Sequence, residues 1–144
     1  MKEKSELINL IENLSDILSV LVELKKRGKF QEALNRVDQT LVDYFKFDSS
    51  FLLSLSEELL VDVLIDNKGL DRAQLSTLAE LLNEQGEILQ EQNKLNESKK
   101  VLKNTLTIYY FLNEDQDFFS FRTMNKMVLI NERLSSINMK ISGD

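Results

Sequence analysis

The chain of 144 residues contains no cysteine, no histidine, no tryptophan and no proline, and only four glycines. Without cysteine there is no disulfide, no thiolate metal site and no cysteine nucleophile. Without histidine the side chain best suited to proton transfer near neutral pH is missing, and with it the commonest metal ligand. Loops and tight turns draw heavily on Pro and Gly. A chain with none of the first and four of the second reads as mostly helix with short connections.

The charge balance excludes further classes. Net charge is −6, and affinity for nucleic acid comes mainly from Lys and Arg neutralising phosphates. The same balance argues against docking on an anionic membrane surface. No apolar run reaches the 18 or so residues of a membrane-spanning helix. The opening Met1-Lys2-Glu3-Lys4-Ser5-Glu6 is mixed in charge and unlike a signal peptide, so the expected place is the cytoplasm.

What is present is a composition of 42% hydrophobic and 29% charged residues, enough for one globular domain over residues 1–144. Apolar spacing predicts six helices, over about 5–27, 30–45, 50–66, 72–92, 95–112 and 117–139. Gly28 and Gly69 suit helix C-termini, and Asp71 suits an N-cap. Gly86 lies inside the fourth helix, where glycine costs about 1 kcal/mol relative to alanine. Close approach of a neighbouring helix is the expected reason.

One pattern occurs twice, 65 residues apart. Lys29-Phe30-Gln31-Glu32-Ala33, then Val37, Thr40-Leu41 and Tyr44-Phe45, is matched by Lys94-Leu95-Asn96-Glu97-Ser98, then Leu102, Thr105-Leu106 and Tyr109-Tyr110. The helices group into two repeat-like units, 5–66 and 71–141.

Each unit resembles a tetratricopeptide repeat, a helical hairpin of about 34 residues. The slots of that pattern are filled by Leu82, Gly86, Leu89, Ser98, Leu102 and Thr105 in the second unit, and by Ile17, Leu21, Leu24, Ala33, Val37 and Thr40 in the first. The match covers about half the chain, 14–45 and 79–110. It departs where Leu21 fills a small-residue slot, where no proline closes either repeat, and where a third helix follows each hairpin. The resemblance implies an all-α fold of two such hairpins, each followed by a third helix, in a right-handed superhelix. It also implies a non-catalytic module for binding an unidentified protein or peptide, and membership of a small bacterial family.

The family's clamp for a peptide carboxylate needs Lys, Asn and Arg on the inner helices. Here Leu18 and Val22, then Asn83 and Glu87, stand in those places, and apolar or acidic side chains cannot hold a carboxylate. The candidate protein-binding residues are Asn83, Glu87 and Gln90 on the fourth helix, with Phe118, Phe119 and Arg122 at the aromatic turn that follows Tyr109, Tyr110 and Phe111. The bland reading of those rings is core. The acidic Glu57, Glu58, Asp62 and Asp66 and the basic Lys99, Lys100 and Lys103 read as solvated faces. No catalytic residue, cofactor or metal is expected, and no nucleotide or nucleophile motif is present.

The first helix is the least ordinary stretch. Leu7, Ile8, Leu10, Ile11, Leu14, Ile17, Leu18, Val20, Leu21, Val22 and Leu24 make its apolar arc wider than a surface helix needs. Either the long sixth helix covers it or a second copy of the chain does. The alternative function is therefore a structural subunit that forms a homodimer through apolar faces of its terminal helices.

Overall fold

The computed structural model describes residues 2–116 and 120–143. Among them the chain is all-α: seven α-helices, two of them extended by π-helical turns, and no strand. The order is α1 (Lys2–Lys26), α2 (Phe30–Thr40) with a π-turn over Leu41–Phe45, α3 (Ser49–Ser54), α4 (Glu57–Asp62) with a π-turn over Val63–Asn67, α5 (Arg72–Glu91), α6 (Leu95–Asn113) and α7 (Phe121–Gly143). The chain divides into two units, Met1–Leu55 and Ser56–Asp144.

In the first unit α1 and α2 form a hairpin closed by Gly28 at φ 72°. Gly28 N–H donates to Lys25 O at 3.0 Å and Lys29 N–H to Leu24 O at 2.9 Å. This satisfies carbonyls that the helix end would leave open. Leu10, Leu21, Ala33, Val37 and Leu41 are buried. The Asp38 carboxylate accepts from the backbone N–H of Ser49 at 3.1 Å and also from its hydroxyl, fixing the start of α3 to α2.

In the second unit α5 and α6 repeat that hairpin. Asn93 stands at φ 61° where Gly28 stood. Asn93 N–H donates to Gln90 O and Lys94 N–H to Leu89 O, both at 2.9 Å. Asp71 and Gln74 form a reciprocal capping box at the start of α5, with bonds of 2.8 and 2.9 Å. Leu75, Leu78, Leu82, Leu102 and Ile108 are buried. α7 adds a third layer through Met127, Ile130, Leu134 and Ile137, all buried. Ser120 starts it, its hydroxyl accepting from Thr123 N–H at 3.0 Å.

Two expected boundaries are corrected. The predicted helix over 50–66 is two short helices, because Leu55 and Ser56 are extended, with ψ of 141° and 153°. The Ser54 hydroxyl caps the carbonyl of Phe51 at 2.6 Å, and Ser56 followed by two acidic residues opens a new helix. The last helix starts at Phe121 and runs to Gly143, four residues later at each end than its spacing predicted.

Candidate functional site

Helix α5 presents one flank to α7 through polar side chains, and the contacts are specific. Lys126 donates to Glu80 Oε1 at 2.7 Å, and Arg122 reaches the same oxygen at 3.3 Å. Glu80 is only 17% exposed and Lys126 23%, so that pair is largely withdrawn from water, whereas the Arg122 side chain is 77% exposed. Two turns further along, Arg133 lies 3.2 Å from Glu87 and donates to Gln90 Oε1 at 3.0 Å. Both partners repeat at seven residues, Glu80 to Glu87 and Lys126 to Arg133. That is two helical turns, so the two pairs stack along one seam.

Of the candidate residues, Glu87 and Gln90 are thus brought together on Arg133. Asn83 lies on the same flank, half-buried. Arg122 is exposed but tied to Glu80. Phe118 and Phe119 lie outside the described residues. Glu80, Lys126 and Arg133 were absent from the expected set. Their matched seven-residue spacing, acids on one helix and bases on another, was the signal that could have found them.

The aromatic turn divides. Tyr109 is 2% exposed, Phe111 is half-buried, and Tyr110 and Phe121 are exposed. The Arg72 guanidinium sits 4.6 Å from the centre of the Phe111 ring, and its Nε is 3.1 Å from Asp115. The Tyr109 hydroxyl has no hydrogen-bond partner among the described residues. Burial, reinforced by the Glu80 carboxylate and opposed by Arg122, holds its phenol well above the ordinary value of about 10. It therefore stays neutral and serves as core.

No group of three acidic side chains that could hold a metal ion occurs among the described residues. Glu57, Glu58, Asp62 and Asp66 are exposed along α4 and its π-turn. No helix among the described residues is long and apolar enough to cross a membrane. A shallow groove of about 430 Å³ between α1 and α2 is lined by Val20, Leu24, Glu32, Asn35, Arg36 and Gln39. Its amides are already engaged, Asn35 by Gln31 at 3.0 Å and Gln39 by Asp43 at 2.8 Å.

No protein-family model, no curated protein and no solved structure matches the chain. The internal repeat is therefore its own standard of comparison. Subtracting 65 from the α5 flank gives Ile11, Ser15, Leu18, Val22 and Lys25 on α1, in the places of Ser76, Glu80, Asn83, Glu87 and Gln90. On α5 all five are half-buried and three are engaged by α7. On α1, Ile11 and Ser15 are exposed, as is Ile8 one step before them, and Leu18 and Val22 are half-buried. The flank that is polar and engaged by α7 in one hairpin carries Ile11, Leu18 and Val22 in the other, where Ile11 and Ser15 are exposed and Leu18, Val22 and Lys25 are half-buried.

Proposed function

We propose that the protein is a non-catalytic, cytoplasmic protein-interaction module of tetratricopeptide-like kind, a small bacterial scaffold whose working surface is the open flank of α1. The observation that carries this is the unequal fate of the two equivalent flanks. Ile8 is 48% exposed and Ile11 40% exposed. Clustered apolar side chains on a soluble surface mark sites where another surface docks. The non-catalytic part is supported by the missing His and Cys.

The second reading is a structural subunit that associates with itself. It is favoured by the apolar side chains exposed on both long terminal helices, including Ile8, Ile11 and Val20 on α1 and Val128, Leu129 and Met139 on α7.

The test of the first reading is capture from a native lysate by the wild-type chain and by Leu18→Glu, followed by mass spectrometry. Proteins retained by the wild type and lost with Leu18→Glu are expected. Identical sets from the two chains would overturn the α1 surface.

A further inference from the structure

We propose that the occupant of the α1 flank is the α1 flank of a second copy, packed antiparallel to form a symmetric dimer. This rests on the self-association reading above and gives its geometry. The internal repeat gives the kind of occupant. The corresponding flank of α5 is engaged by side chains of a helix, α7, at Glu80, Glu87 and Gln90. Unit one replaces those polar side chains with Ser15, Val22 and Lys25, and Asn83 with Leu18. An occupant of this flank therefore meets Ile8, Ile11, Leu18 and Val22 rather than a row of acids.

The pattern of the flank then selects α1 itself. Ile8, Ile11, Ser15, Leu18, Val22 and Lys25 are spaced by three, four, three, four and three residues. That is the a/d seam of a two-stranded coiled coil, about 26 Å long at 1.5 Å per residue. In an antiparallel pair each a position faces a d position of the partner. Ser15 then lies opposite Leu18, the smallest side chain of the seam against a large apolar one, and this layer occurs twice about the symmetry axis. Ile11 lies opposite Val22. At each end the aliphatic stem of Lys25 covers Ile8.

Charge gives the same orientation. Glu12 and Lys26 are both exposed beside the seam. Antiparallel packing sets Glu12 within about one turn of Lys25 and Lys26 of the other chain. Parallel packing would put acid level with acid and base level with base, which costs free energy in a coiled coil. One patch serving both copies is what a two-fold interface requires.

The experiment is sedimentation equilibrium of the full chain from about 1 to 100 μM, with helicity followed by circular dichroism. A dimer is expected. Ile11→Glu and Leu18→Glu should each weaken it about tenfold or more, the scale of losing an anchor contact, with helicity unchanged. A strict monomer overturns the proposal, and so does a dimer that both variants leave intact. Orientation is read by cysteine chemistry, for which the chain offers a blank background. The double variant Ile8→Cys with Lys25→Cys should form an intermolecular disulfide that Ile8→Cys alone does not. Rapid cross-linking of Ile8→Cys alone overturns the antiparallel pairing. A monomer whose lysate capture still depends on Leu18 would leave the interaction reading standing while the dimer falls.

Discussion

A Cβ added to Gly86 would sit 2.4 Å from Cδ2 and 2.7 Å from Cγ of Leu102, nearer than non-bonded carbons come. The equivalent pair in the first hairpin is Leu21 and Val37, both fully buried. Each crossing holds one large and one smaller side chain, but the large one is on α6 in the second unit and on α1 in the first. Gly86→Ala should therefore destabilise the protein by about 1–3 kcal/mol despite the better helix propensity of alanine. Adding Leu102→Val should recover part of the loss. Chemical denaturation of the single and double variants measures both effects, and additivity of the two would argue that the residues do not share the space.

The hairpin turns offer a second pair of substitutions. Gly28 and Asn93 hold the same left-handed conformation, at φ 72° and 61°. A Cβ on Gly28 meets nothing within 4 Å, so a cost there is one of backbone alone. Gly28→Ala should cost about 1 kcal/mol and Asn93→Gly should be neutral or slightly stabilising. Thermal unfolding of both variants is the check.

The attachment of α7 should depend on Lys126 more than on Arg122, although both reach Glu80. Lys126 is mostly buried and 2.7 Å away, whereas Arg122 is largely in water. Lys126→Ala should cost about 1–2 kcal/mol and Arg122→Ala less than about 0.5 kcal/mol. Hydrogen exchange resolved by segment should show α7 opening faster in the first variant while α5 and α6 stay protected.

Tyr109 predicts an alkaline limit. Its phenol is held above the ordinary value by burial and by Glu80. Between that ordinary value, about 10, and the raised one, the folded chain keeps a proton that the unfolded chain has lost. Stability is therefore complete below about pH 10 and falls as pH rises beyond it. Tyr109→Phe should move the alkaline unfolding midpoint upward. At pH 7 it should change stability by less than about 0.5 kcal/mol, because the hydroxyl has no hydrogen-bond partner among the described residues. Circular dichroism against pH, with tyrosine ionisation followed by absorbance, tests both.

The hairpins were legible because turn chemistry and packing are local. Lys29 and Lys94 both stand at the N-cap with nearly the same backbone, φ −89° and −88°. Thr40 and Thr105 both donate to the carbonyl four residues back at 2.8 Å. Past the threonines the copies part. Leu41–Phe45 winds into a π-turn and ends at Lys46, while α6 continues to Asn113. Tyr44 and Tyr109, matched in sequence, therefore differ in burial, the first half-buried and the second enclosed. The break at Leu55 was hidden by a continuous apolar spacing from Phe51 to Leu64, which outweighed the start signal of Ser56-Glu57-Glu58. The candidate surface was legible in part. The excess of apolar residues on α1 is visible in the sequence, but which flank stays open depends on where α2 lies. That Glu87 and Gln90 would be engaged by Arg133 depended on a contact 43 to 46 residues distant.

The open flank of α1 also makes the heat resistance of this protein a matter of mass action. Whatever seats on Ile8, Ile11 and Leu18 binds the folded chain and not the unfolded one. At ten times its dissociation constant such an occupant adds roughly 1.4 kcal/mol to stability. A self-pairing flank carries that supplement in the protein's own concentration, so a dilute solution should melt earlier than a concentrated one.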